Sequence, residues 1–138
     1  NAPELWQHAL RHYPLCIPAH TNLGTWYTDN GFLFKGLAHY STHLHLEPLS
    51  PLANYDMGVV LAKLGDLPAA ERYYRQALHL YPGYAEAAIN LANTLLKMNR
   101  LEEASYFINL ANESNKGNPA VNKAIEINRQ LLGSAVAR

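Results

Sequence analysis

Apolar residues recur along this chain at the three- and four-residue spacing of amphipathic helices, and no run of alternating apolar and polar residues indicates a strand. Proline, glycine and asparagine interrupt the pattern at regular intervals, as they do between helices. We therefore predict an all-α chain. The predicted helices lie near residues 2–12, 18–30, 34–46, 51–64, 68–81, 85–98, 102–115 and 119–132.

Two features recur with a period of 34 residues: a proline that closes a helix, and a large residue followed by a small one. The prolines are Pro14, Pro48 and Pro82, and the pairs are 23–24, 57–58 and 91–92. A small residue beside a large one lets two helices approach closely, so each pair predicts a helix crossing. The units 17–50, 51–84 and 85–118 align without an insertion. We assign one domain over 1–138, in which 1–16 is the second helix of a partial preceding unit and 119–138 is a C-terminal capping helix.

The middle unit contains Met57-Gly58, Leu61, Gly65-Asp66, Ala70, Tyr74, Ala77 and Pro82. This order resembles the tetratricopeptide repeat (TPR) family, and the resemblance covers nearly the whole chain. It implies a right-handed superhelical solenoid of helix-turn-helix repeats, and a scaffold or adaptor for protein-protein interaction rather than an enzyme. The chain departs from the pattern at His20, Asn54 and Ala88, where an aromatic residue is usual, and at His43 and Lys116, where alanine and proline are usual.

Composition argues against several partners. The 138 residues are 49% hydrophobic, and eleven basic side chains balance eleven acidic ones. Because no basic face repeats, we expect no nucleic acid partner, although pentatricopeptide RNA binders have a similar repeat that is one residue longer. No apolar stretch approaches the roughly 18–20 residues needed to cross a bilayer, so we expect no direct membrane insertion of this segment. The chain opens inside a repeat, so we expect a fragment of a longer protein and assign no compartment.

No catalytic, metal or cofactor site is predicted. His39 and His43 lie four residues apart on one helix face, but no third ligand has matching spacing. Glu102 and Glu103 are adjacent, so their side chains point about 100° apart on a helix and do not form a catalytic pair. They lie in the first turn of the predicted helix, where acidic residues interact favourably with the helix dipole. We expect His43 to fit because the nearby Gly36 leaves room for its imidazole ring.

The resemblance also implies which positions of each first helix line a concave groove. The candidate ligand-binding residues are Asn22, Thr25, Tyr55, Asp56, Val59, Lys63, Asn90, Asn93 and Lys97. Tyr55 is the strongest single anchor among them, because an aromatic side chain buries a large area with few rotors.

Asn22, Asp56 and Asn90 recur at one position of the unit. They are similar to the asparagine ladder of O-linked N-acetylglucosamine transferase, which suggests contact with the backbone of an extended peptide. A purely structural role is an equal alternative, because asparagine is common before the large-small pair whatever the repeat binds.

Lys63 and Lys97 also recur at one position of the unit, with Asp29 at the equivalent position of the first unit. An acidic peptide would therefore favour the later units. The alternative is that these residues are only solvated positions at the rim of the groove. The carboxylate clamp of chaperone-binding members maps onto this chain with one match, Asn90. An Hsp70 or Hsp90 tail is therefore a poor candidate.

Two functions remain. The first is a protein-protein interaction module that binds a peptide or a partner subunit in the groove. The alternative is a non-catalytic repeat domain of a larger enzyme, such as a glycosyltransferase or a multi-pass membrane transferase, that presents or regulates a substrate. Self-association is also possible through Leu5, Trp6 and Leu10, because their helix lacks its partner helix.

Overall fold

Helices make up most of the chain, of which the computed structural model describes residues 2–138. The eight helices are α1 (Ala2–His12), α2 (Ile17–Asp29), α3 (Leu33–Leu46), α4 (Pro51–Lys63), α5 (Leu67–Leu80), α6 (Ala85–Lys97), α7 (Leu101–Ser114) and α8 (Pro119–Val136). The described part of the chain contains no strand. The prediction of an all-α fold is confirmed, and the largest difference in bounds is at α8, which extends past its predicted end at residue 132.

Polar side chains cap the N-termini of three helices. The Ser50 hydroxyl accepts a hydrogen bond from the Ala53 amide at 3.1 Å, and the Asp66 carboxylate accepts one from the Ala69 amide at 3.2 Å. Asn118 caps α8 in the same way. Each cap satisfies a backbone N–H that the helix itself leaves without a partner, and thereby defines where the helix begins.

The turns inside the three helix pairs require a left-handed backbone. The φ angles are 84° at Gly31, 87° at Gly65 and 59° at Asn99. Glycine adopts such angles without strain, and asparagine tolerates them better than most other residues. Glycine and asparagine are among the residue types that interrupt the helical pattern in the sequence, and these three lie between the helices of a pair.

The small residues at the helix crossings are complementary to large ones on the following helix. The pairs are Gly24 with Tyr40, Gly58 with Tyr74, and Ala92 with Ile108. A Cβ atom at Gly58 would lie 2.6 Å from the ring of Tyr74, closer than packing allows. In the third unit alanine replaces the glycine and isoleucine replaces the larger tyrosine, and both Ala92 and Ile108 are buried.

Helix pairs follow one another along a line. α2 packs on α3, α4 on α5 and α6 on α7, and each pair packs on the next. The terminal helix α8 contacts both α7 and α6, and α4 also contacts α6, so α4, α6 and α8 lie side by side. This is a right-handed solenoid of helix pairs, whose core is shared between neighbours rather than gathered at one centre.

Two of the departures from the family pattern replace an aromatic contact with a hydrogen bond. Nε2 of His20 lies 2.8 Å from the carbonyl oxygen of Pro14, and Nδ2 of Asn54 donates to the carbonyl of Pro48 at 3.2 Å. Both bonds reach the proline that ends the preceding helix, so they join neighbouring units. Because a carbonyl only accepts, His20 carries its proton on Nε2, and its Nδ1 accepts from Nδ1 of His39 at 3.1 Å.

The prediction that Gly36 makes room for His43 is wrong. A Cβ atom at Gly36 would overlap the hydroxyl of Thr28, so this glycine serves the crossing with α2. The buried His43 is held instead by polar contacts at both ring nitrogens. Its Nδ1 lies 3.2 Å from the Thr21 hydroxyl, and its Nε2 lies 3.1 Å from a carboxylate oxygen of Glu47.

Candidate binding groove

A cavity of about 210 Å³ lies between α4 and α6. It is lined by Val59, Ala62, Lys63, Tyr74, Asn90, Asn93, Thr94 and Lys97. Five of the nine predicted ligand-binding residues meet here, namely Val59, Lys63, Asn90, Asn93 and Lys97. The cavity therefore combines apolar surface, two primary amides and two ammonium groups within one small space.

A second cavity of about 270 Å³ continues this surface between α6 and α8. It is lined by Asn93, Leu96, Lys97, Leu131, Ala135 and Arg138. Because both cavities share Asn93 and Lys97, they form one continuous surface across α4, α6 and α8, which we call the groove.

Hydrogen bonds fix both amides of the groove in one orientation. Nδ2 of Asn90 donates to the hydroxyl of Tyr55 at 3.1 Å, and Nδ2 of Asn93 donates to Oδ1 of Asn128 at 3.1 Å. Asn128 is itself held by a 2.8 Å bond from its Nδ2 to the carbonyl of Ala124. The amides are thus oriented before any ligand arrives, which lowers the entropic cost of binding.

The supporting role of Asn128 was missed by sequence reasoning. It lies at the tenth position of its helix, is 4% exposed, and corresponds to Val60 and Thr94 in the preceding first helices. An amide at a position that is buried elsewhere in the array was the available signal, because a buried amide requires a partner.

Tyr55 lines neither cavity and does not project into the groove as an anchor, but packs beside it and supports Asn90. Its ring lies 5.1 Å from that of Tyr84 and 6.0 Å from that of Tyr74, and its hydroxyl accepts the bond from Asn90. Burial raises the pKa of Tyr55 to about 12, with a further contribution from the charge of Asp56. The phenol is therefore neutral at physiological pH and keeps its proton.

Besides Tyr55, three predicted residues lie outside the two cavities, and they do not form one row of amides with Asn90. Asn22 and Thr25 are exposed on α2 and bond to carbonyls of their own helix, at 2.7 Å for Asn22 to Pro18 and 3.0 Å for Thr25 to Thr21. Asp56 lies at the equivalent position of α4 but is only 7% exposed.

One oxygen of the Asp56 carboxyl group lacks a compensating partner. This oxygen, Oδ2, is buried and makes no hydrogen bond to any described residue. Burial raises the pKa of Asp56 from the ordinary 3.8 to about 7. The charged form is disfavoured because no donor within residues 2–138 replaces the water that Oδ2 would bind in solution.

The groove is basic. Lys63, Lys97 and Arg138 line its two cavities, and no acidic side chain does. Within residues 2–138, neither Lys63 nor Lys97 forms an ion pair. Both ammonium groups are therefore available to an anionic group of a ligand.

Two searches of the described residues bear on other kinds of site. Over residues 2–138, no cluster of three or more His, Cys, Asp or Glu side chains is arranged to hold a metal ion. None of the helices α1–α8 combines the length and the apolar character needed to cross a membrane.

Comparison with known proteins agrees with the repeat pattern. A family model described as tetratricopeptide repeat matches residues 61–126. The predicted resemblance to the tetratricopeptide repeat family is confirmed over these residues, in agreement with the repeat period and the helix pairs. No curated protein matches the sequence.

Solved structures share the fold over most of the chain. The crystal structure of MamA is similar with a TM-score of 0.78 and 20% identity, covering 98% of this chain and 81% of that one. The TPR2B domain of yeast Sti1, in a complex with pHsp70, gives a TM-score of 0.76 at 16% identity, covering 88% and 96%. The first TPR of Spaghetti (RPAP3), bound to the HSP90 peptide SRMEEVD, gives 0.73 at 18% identity, covering 85% and 93%.

Proposed function

We propose that this chain is a protein-protein interaction module that binds an extended segment of a partner protein in the groove and catalyses no reaction. The observation that supports the proposal most directly is the cavity between α4 and α6. It offers apolar surface from Val59, fixed amides from Asn90 and Asn93, and unpaired ammonium groups from Lys63 and Lys97.

These groups match the needs of an extended peptide. A peptide in that conformation presents N–H and C=O groups that primary amides bind, and side chains that fill apolar pockets. Two of the structurally similar proteins, from Sti1 and RPAP3, are complexes with pHsp70 and with an HSP90 peptide, so this fold accommodates peptide ligands.

The ligand differs from such a chaperone tail in how it is recognised. Asp56 and Glu86 fall at positions of the carboxylate clamp, where acidic side chains repel a terminal carboxylate. The cations of this chain lie instead at Lys63, Lys97 and Arg138. A segment with an acidic side chain at the α4–α8 part of the groove is therefore favoured.

Selection from a displayed library of random peptides tests the proposal. The whole 138-residue chain is used for selection, and the selected peptides are then titrated against an Asn93→Ala/Lys97→Ala double variant. Asn109→Ala/Arg72→Ala, which removes an exposed amide and an exposed cation from α7 and α5, is the matched control.

We expect binding to the groove variant to be at least about tenfold weaker, and binding to the control to be unchanged. Equal binding to both variants, or failure to select any peptide, would contradict the proposal. Circular dichroism of each variant confirms that the array is folded.

A further inference from the structure

The repeat places a second set of side chains between α2 and α4, one unit before the cavity between α4 and α6. Shifting the lining residues of that cavity back by one period gives Thr25, Thr28, Asp29, Tyr40, Asp56, Val59, Val60 and Lys63. We call this set the acidic subsite. Asp29 replaces Lys63 of the later unit, and Asp56 replaces Asn90, so two carboxyl groups stand where the later unit has a cation and an amide.

The members of the acidic subsite interact around the hydroxyl of Tyr40. That hydroxyl lies 3.0 Å from Oγ1 of Thr25. Burial raises the pKa of Tyr40 to about 12, hydrogen bonding with Thr25 and Thr28 opposes this shift, and the charges of Asp56 and Asp29 add to it. Residues from α2, α3 and α4 therefore meet at one place, as their equivalents do in the later cavity.

One carboxyl oxygen at this place lacks a hydrogen-bond donor. The Thr25 hydroxyl donates to the carbonyl of Thr21 at 3.0 Å, so the Tyr40 hydroxyl must use its only proton to donate to Thr25. Oδ2 of Asp56, a member of the acidic subsite, is buried and has no hydrogen-bond partner in residues 2–138.

A buried carboxyl group without a donor is costly, and such groups in folded proteins usually mark a place that something else fills. The missing partner must donate hydrogen bonds. It must also be compatible with two neighbouring carboxyl groups, and a cation meets both needs. Lys63 does not supply it, because seven residues of helix α4 separate it from Asp56, which is about 10 Å along the helix axis.

We propose that the acidic subsite binds a lysine or arginine side chain of the partner, whose ammonium or guanidinium group donates to the carboxylate of Asp56. The exposed Asp29 at the rim attracts this cation. The inference rests on the proposed function and adds how the bound segment is aligned with the two units. A segment that spans both units has a basic residue at α2–α4 and an acidic residue at α4–α8.

Binding of this cation is coupled to loss of a proton. Because burial places the pKa of Asp56 at about 7, the group is half protonated at pH 7, and a bound cation favours its ionised form. The other titratable groups that face this region are Asp29 from α2, Tyr40 from α3, Tyr55 and Lys63 from α4, Tyr74 from α5, Tyr84 and Glu86. The four tyrosines remain protonated at pH 7, because burial raises the pKa of each.

Calorimetry with peptides selected on the whole chain tests the inference. Each lysine of a selected peptide is replaced by norleucine and each arginine by citrulline, one at a time, and every peptide is titrated into the wild type and into Asp56→Asn. We expect one replacement to weaken binding to the wild type by at least about tenfold, and to weaken binding to the variant by less than about twofold.

A second measurement uses the wild type and the unmodified peptide. Titration at pH 7 in two buffers with different heats of ionisation reports the protons released on binding. We expect about half a proton per complex for the wild type and none for Asp56→Asn, which keeps the shape of the side chain without its titration.

The outcomes separate the two proposals. In two cases the acidic subsite is refuted while binding in the groove still depends on Asn93 and Lys97. In the first, the peptides tolerate every uncharged replacement. In the second, a replacement weakens binding to the wild type and to Asp56→Asn by the same factor. The absence of proton release from the wild type would likewise refute the acidic subsite. If no peptide depends on the groove, both proposals fail together.

Discussion

Replacing Asp56 by asparagine removes a carboxyl group that the fold buries without compensation. Its pKa rises from 3.8 to about 7 on folding. At pH 8, where the group is ionised in both states, this corresponds to about 4 kcal/mol of lost stability. Because the folded state binds more protons to Asp56 between these two pKa values, the contribution of this group to the free energy of unfolding falls as pH rises from 3.8 to about 7 and then levels off.

Asparagine has no such titration, so the stability of Asp56→Asn relative to the wild type should increase with pH. Integrating the shift predicts an increase of about 2–3 kcal/mol in this difference between pH 5 and pH 8. Burial of the amide costs about 1–3 kcal/mol, but this cost does not change with pH. Urea unfolding followed by circular dichroism at both pH values measures the difference, and the titrations of the histidines cancel in it.

The matched control is Asp29→Asn, whose carboxyl group is exposed, and its difference from the wild type should stay constant. A difference for Asp56→Asn that does not change between pH 5 and pH 8 would refute the reasoning. It would show that the carboxyl group is solvated or paired in the folded protein.

Three further predictions concern packing, the backbone and a histidine. Gly58→Ala should lower the free energy of unfolding by about 1–3 kcal/mol, because the added Cβ would meet the ring of Tyr74. Gly133→Ala in α8 adds a Cβ in open space and should raise the free energy of unfolding by about 0.5–1 kcal/mol. Equal effects of the two substitutions in urea unfolding would contradict this. In the same assay Asn99→Val should lower the free energy of unfolding by about 1–2 kcal/mol, whereas Asn99→Gly should change it little, because the φ angle of Asn99 is 59°. Equal losses of stability in the two variants would exclude a backbone effect. Burial, with the charge of its histidine neighbour, lowers the pKa of His39 below 6.5, so this residue's contribution to stability should be lost as pH falls below 6.5; an NMR titration that gives 6.5 or more would contradict the shift.

The fold was predictable because each unit buries its apolar face only against its neighbours. The requirement for a small residue opposite a large one therefore recurs at every crossing, as at Gly58 and Tyr74. The requirement for a left-handed turn recurs at Gly65 and Asn99. The end of α8 was not predictable, because the helix continues through Gly133, where a Cβ atom would meet no other element within 4 Å.

The candidate site was predictable in location more than in chemistry. The helical repeat gives the direction of each side chain, which was enough to bring Lys63, Asn93 and Lys97 to one cavity. It does not give the hydrogen-bond partner of a polar group, since partners come from other helices. Such contacts decide the bond from Asn90 to Tyr55 beside the groove. They also decide that Oδ2 of Asp56 is buried without a partner among residues 2–138.

Photo-crosslinking from inside and outside the groove tests the central claim most directly. A photoreactive residue is placed at position 62 in the groove, where the alanine side chain has no part in the proposed contacts, or, as a control, at the exposed position 72 on α5, and each protein is irradiated with a selected peptide. We predict a crosslink from position 62 that excess unlabelled peptide abolishes, and none from position 72. Crosslinking from position 72 alone, or equally from both positions, would contradict binding in the groove.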